Sequence, residues 1–218
     1  MSSYLDLYDY RRYVFNMYHE KRQALLAGID PEVVLQRYRE ARDWLFAHHP
    51  QTALTQEQIR TFTGLNYFPY NPSLRFVVDV DVNVEPVCHE AVMDAQQKMT
   101  MVAAGRVNFV VDGQQATLTI YWLDIYGGGL FLPFRDATNG HETYGGGRYL
   151  FDTIKGSDFL TVHSDNGSER IVLDFNYAYN PSCAYNDRSV CPLSPPENKL
   201  AIPINAGEKK YLEDIVLH

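Results

Sequence analysis

Cysteine is scarce: 218 residues hold only three, an odd number that does not build the disulfide framework of a small secreted domain. A reducing, cytoplasmic setting is therefore expected. Basic residues are also in deficit, since 19 Lys and Arg against 27 Asp and Glu leave a net charge of −8. That balance gives no footprint for a polyphosphate backbone, so no nucleic-acid partner is expected. Long apolar runs are missing. The opening stretch MSSYLDLYDYRRYVFNMYHEKR interrupts its apolar positions with Asp6, Asp9, Arg11 and Arg12, and reads as neither a secretory signal nor a membrane span. The chain also lacks a dinucleotide fingerprint, a P-loop, an HExxH motif and a nucleophile elbow. These absences remove several common enzyme classes. They leave small molecules or other proteins as partners, with no cofactor and no metal expected.

What is present starts with helical spacing. Leu7, Tyr10, Val14, Tyr18 and Leu25 recur at roughly one face of a helix, and Gly28 is placed to end it in a left-handed turn. Asp30 then caps a second helix that Pro31 and Glu32 suit at its first turn, with Val34, Tyr38, Ala41 and Leu45 as the apolar face. Thr55 and Gln58 have the spacing of a capping box for a third, short helix closed by Gly64. The tyrosines at 4, 8, 10, 13 and 18 are expected to pack the first helix against the rest of the chain or against a second copy. A homodimer through that helix is one arrangement this allows.

From Arg75 the period changes to two. Phe76, Val78, Val80, Val82 and Val84 alternate with largely polar residues, as in a strand with one core-facing side. Residues 106–111 and 115–123 form two more such runs, joined through Asp112-Gly113, a good hairpin turn. Residues 130–135, 148–154, 159–163, 170–179 and 200–204 continue the series, and Ser164-Asp165-Asn166-Gly167 reads as another hairpin turn. The expected fold is α+β, mainly β: N-terminal helices over 1–64, then an antiparallel sandwich or barrel of about eight strands over 65–218.

The densest chemistry runs from Phe134 to Cys191. If a strand continues through 170–179, Asp174, Asn176 and Asn180 share one face, with small Ala178 between them. Buried, such a face forms a line of donors and acceptors for a ligand. Asp174, Glu142 and Asp136 are the candidate general acids or bases. Arg135 and Arg148 are the candidate anion clamps, or else internal partners of Asp174 or Glu142. Asn176, Asn180, Tyr144 and Cys183 complete the candidate substrate-binding set. Two tyrosine-glycine runs, Tyr126-Gly127-Gly128-Gly129 and Tyr144-Gly145-Gly146-Gly147, each feed a strand. Cys183 and Cys191 flank a loop long enough to bring their sulfurs together, as a disulfide, a thiol pair or a nucleophile. Cys88-His89 is expected to be a loop pair without a chemical role.

Several of these strings are similar to one family. Residues 134–138 (FRDAT), 142–150 (ETYGGGRYL), 173–185 (LDFNYAYNPSCAY), Cys191-Pro192-Leu193 with Glu197-Asn198, the stretch 55–75 including Gly64 to Pro69, and Ala206 to Lys209 resemble the DUF1684 family of bacterial and archaeal proteins. The resemblance covers roughly residues 38–210 and treats 1–37 as an addition. Ser189 and Ser194 depart from its pattern, standing where an aromatic and a proline are usual. It implies a shared fold and pocket and transfers no activity.

The expectation that follows is a small-molecule enzyme using metal-free acid and base chemistry, of hydrolase, isomerase, cyclase or lyase type, in a β-enclosed polar pocket. The alternatives are a binding protein with the same pocket and no chemistry, and a protein-interaction module with a structural polar core.

Overall fold

The computed structural model describes residues 3–92, 98–163, 169–186 and 188–211. Its first layer is helical. α1 (Tyr4–Leu26) opens with a reciprocal box, the Asp6 amide donating to the Ser3 hydroxyl and the Ser3 amide to the Asp6 carboxylate. α2 (Pro31–His48) is capped by Asp30, whose Oδ1 accepts from the amides of Glu32 and Val33. α3 (Gln56–Thr61) carries the expected Thr55–Gln58 box. Tyr18 and Tyr38 share a buried hydroxyl–hydroxyl hydrogen bond of 2.9 Å, Tyr13 stacks on Trp44, and Tyr38 meets Tyr177 edge-on. Thus Tyr10, Tyr13 and Tyr18 pack within the chain, while Tyr4 and Tyr8 stay exposed.

Among the described residues nine strands follow, all paired antiparallel: β1 (Arg75–Val78), β2 (Val80–Asp81), β3 (Cys88–Val92), β4 (Lys98–Val111), β5 (Gln114–Asp124), β6 (Gly129–Phe134), β7 (Arg148–Asp152), β8 (Leu160–His163) and β9 (Glu169–Asp174). One sheet has the order β1-β9-β8; the other runs β2-β4-β5-β6-β7, with β3 also on β4. The β4–β5 hairpin turns at Asp112 (φ 49°) and Gly113 (φ 77°), the left-handed pair that matches strand twist. Val107, Phe109, Leu118, Ile120 and Phe134 from the larger sheet pack in one cluster with Val78, Ile171 and Leu173 from the smaller. Neither sheet closes into a barrel among the described residues. No helix among them is long and apolar enough to cross a membrane.

Four expectations need correction. The run from Phe76 is not one strand: β1 pairs with β9 and β2 with β4, so the chain crosses between sheets at Asp79, and Val82 is 70% exposed. The strand expected over 170–179 stops at Asp174, because the Asp174 carboxylate captures the Asn176 amide and starts a 3-10 turn over Phe175–Tyr177. Residues 200–204 alternate buried and exposed as expected but join no sheet. Cys88 and His89 lie on β3, where His89 faces Glu197 with an Nε2–Oε1 distance of 2.6 Å. The turn expected at 164–167 lies outside the described residues.

Candidate functional site

The buried ion pair of the core is Arg148–Asp136, at 2.8 Å with both side chains 0% exposed. β7 begins at Arg148, and its guanidinium forks to the carbonyls of Ile204, Ala206 and Glu208 as well as to Asp136 Oδ2. One side chain thus holds three carbonyls of the stretch 204–208, while the Ile202 carbonyl accepts from the Ala137 amide. Asp136 Oδ1 accepts from the Thr138 amide and hydroxyl and from the Ile204 amide. Every charge here has a partner inside the protein, as a buried charge requires. Burial lowers the Arg148 pKa, and the Asp136 carboxylate opposes that shift.

Asp174 and Asn176 form a second, separate cluster. Asp174 Oδ1 accepts from the Asn176 amide and side chain, and Arg75 Nε approaches Oδ2 at 3.7 Å. Asn176 in turn clasps the backbone of Asn71 from both sides. Glu142 is exposed. Arg135 donates to the Gly145 carbonyl. Asp136 and Asp174 thus sit in separate networks, with Arg148 and with Asn176 and Arg75 respectively, while Glu142 is exposed. Arg148 is not paired with Asp174 or Glu142: its partner is Asp136.

The cavity of interest lies elsewhere, between the helical layer and the β-strands. It encloses about 310 Å³. Tyr10 and Arg11 come from α1, Arg42 from α2, Tyr149 from β7, Lys155 and Ser157 from the turn after it, and Asn180 and Ser182 from the loop beyond Tyr177. Among the described residues, three cations line it and no carboxylate does. Arg42 is matched from behind by Glu208, at 3.0 Å with side-chain exposures of 8% and 1%. Tyr185 OH also donates to Glu208, as does the Asn180 amide. Burial works against the Arg42 charge; Glu208 together with Tyr185, Tyr38 and Tyr67 outweighs it and holds the guanidinium well above its ordinary pKa. Lys155 reaches Asp152 only at 3.8 Å, and Arg11 makes no ion pair among the described residues.

Of the nine candidate site residues, only Asn180 lines this cavity. Its Nδ2 donates to the Lys209 carbonyl, which leaves Oδ1 as a free acceptor; the residue is 2% exposed and Oδ1 has no partner. Among the described residues it is one of nine buried side-chain polar atoms without a hydrogen-bond partner. Arg11, Arg42, Lys155, Tyr149 and Tyr179 escaped the sequence reading because they come from four separate segments. Arg42 alone left a trace, as a cation beside the apolar stripe of Tyr38, Ala41 and Leu45.

Tyr144 and Cys183 meet outside this lining, Tyr144 OH donating to Cys183 Sγ at 3.6 Å. Burial first, and Cys183 second, push the Tyr144 phenol up to about 12. Among the described residues, no three His, Cys, Asp or Glu side chains gather as a metal site.

Comparison with known proteins returns relatives without assigned activities. A family model described as a protein of unknown function, DUF1684, matches residues 60–209. A solution NMR structure of an uncharacterized protein from Haloarcula marismortui is 32% identical, covers 86% of this chain and 96% of its own, and superposes with a TM-score of 0.58. No curated protein matches. The matched residues hold both sheets, the Arg148–Asp136 pair and Glu208, whereas α1 and α2 precede them. By the span of that match and the identity with its solved relative, the chain belongs to the DUF1684 family.

Proposed function

We propose that this protein binds a small organic anion in the cavity between α1, α2 and the β-strands. The observation that carries the reading is a wall that, among the described residues, holds Arg11, Arg42 and Lys155 and no carboxylate. Arg42 is neutralised by Glu208, which leaves Arg11 and Lys155 to attract a carboxylate or phosphate. Tyr10, Tyr18, Tyr149 and Tyr179 offer ring faces to the ligand body. The volume falls at the small end of ordinary ligand pockets.

Binding is better supported than general acid and base catalysis. Asp136 and Asp174, two of the expected catalytic carboxyls, have oxygens committed to structural donors, and Glu142 lies exposed outside the cavity. These surroundings favour scaffold roles.

Calorimetry against a panel of small carboxylates, phosphate esters and matched cations tests the proposal. Anions should bind, and Arg11→Ala with Lys155→Ala should weaken them about 10- to 100-fold, the worth of one charged hydrogen bond. Equal binding of cations, or an unchanged affinity in the double variant, would refute the reading.

A further inference from the structure

Cys191 sits in an environment that the cavity does not use. The Cys183 amide donates to Cys191 Sγ at 3.4 Å, and the two residues are eight positions apart. Tyr144 OH donates in turn to Cys183 Sγ. Each sulfur therefore accepts from a donor, Cys183 from a phenol and Cys191 from the backbone amide of Cys183 itself. Both cysteines are free, Cys183 half-buried and Cys191 8% exposed.

A sulfur surrounded by donors is stabilised as the thiolate. The Cys183 thiol, then its amide, Lys155 and the Ser182 amide hold Cys191 below the usual thiol range in spite of burial, while the same contact pushes Cys183 up. One sulfur is thus poised to attack and its neighbour keeps its proton. Cys191 is too enclosed to meet a protein disulfide, so its electrophile has to be small.

We propose that Cys191 and Cys183 form a redox-active dithiol site that reduces a small hydroperoxide, with Cys191 attacking and Cys183 resolving. The Cys191 thiolate forms a bond to one peroxide oxygen as the O–O bond breaks; the departing oxygen takes a proton and leaves as water or alcohol, and Cys191 becomes a sulfenic acid. Cys183 sulfur then attacks Cys191 sulfur, the S–O bond breaks, and hydroxide leaves with the Cys183 proton as water. The sulfur pair loses two electrons and the peroxide gains them.

The test is a stopped titration of the fully reduced protein with hydrogen peroxide, read by intact mass and peptide mapping, with exposed Cys88 as internal reference. The protein should lose the mass of two hydrogens, the map should show a 183–191 disulfide reversed by dithiothreitol, and the pair should react at least about 10-fold faster than Cys88. Cys183→Ser should instead gain one oxygen on Cys191 that dimedone traps; Cys183→Ala serves if that variant folds poorly. Oxidation of Cys88 first, or a disulfide formed with a low-molecular-weight disulfide but not with peroxide, would overturn the proposal.

Discussion

Replacing Arg148 by methionine removes a guanidinium that has no exposure to water and four partners: Asp136 Oδ2 at 2.8 Å and the carbonyls of Ile204, Ala206 and Glu208. Asp136 would keep the donors on Oδ1 and lose its counter-charge. Breaking one side of a buried pair costs about 3–5 kcal/mol, and each carbonyl left unpaired adds about 1–3 kcal/mol where water cannot reach it. Partial relaxation brings the sum to about 4–8 kcal/mol, comparable to the whole stability of a domain, about 5–15 kcal/mol. Urea unfolding followed by Trp44 and Trp122 fluorescence should therefore show Arg148→Met unfolded or barely folded. Arg148→Lys restores the charge without the fork and should lose about 2 kcal/mol or more. Asp136→Asn placed in the Arg148→Met background should recover about 2 kcal/mol by removing the stranded charge. An Arg148→Met protein within about 1 kcal/mol of the parent would refute the claim that this side chain holds the 204–208 segment in place.

Other perturbations probe the helical layer. Gly156 has φ 88°, and a Cβ there would stand 2.9 Å from the Arg11 carbonyl and 3.0 Å from the Phe15 amide, both backbone atoms of α1. Gly156→Ala should cost about 1–3 kcal/mol in thermal unfolding and raise hydrogen exchange in α1; unchanged exchange would mean that α1 does not rest on that turn. Tyr18→Phe should lose about 1 kcal/mol through its bond to Tyr38, and Tyr18→Phe with Tyr38→Phe should lose less than the two single changes combined. Burial pulls the Lys21 pKa from 10.5 down to about 8. Above that value the folded state has released a proton that the unfolded state still holds, so stability should rise from about pH 8 until the tyrosines ionise near 10 in the unfolded chain. The slope is at most about 1.4 kcal/mol per pH unit. Lys21→Met should flatten that rise in urea titrations; a persistent slope would assign it to another group.

Legibility in the sequence followed the range of the interactions. The caps at Asp30 and at Thr55 with Gln58, and the turn at Asp112-Gly113, depend on neighbours within four residues and were readable. The period-two run from Phe76 was readable as extended chain, but its passage from one sheet to the other depends on pairing with β9 and β4, which lie far along the sequence. Asp174 misled because its side chain outcompetes the ladder for the Asn176 amide, a local event that alternation does not register. The polar cluster of 134–180 was visible as a cluster, yet the structure spends Asp136, Arg148, Asp174 and Asn176 on holding backbone. The cavity draws on α1, α2, the turn after β7 and the loop beyond Tyr177, and no spacing rule connects those four.

The Arg148 fork also fixes an order of events at the ribosome. Asp136 and Arg148 are synthesised well before Ile204, Ala206 and Glu208, which follow Arg148 by 56 to 60 positions. Until those carbonyls emerge, the guanidinium has to stay hydrated, and β6 and β7 cannot seal over it. A chain cut short before Ile204 should therefore leave this guanidinium without three of its four partners and depend on water to solvate it.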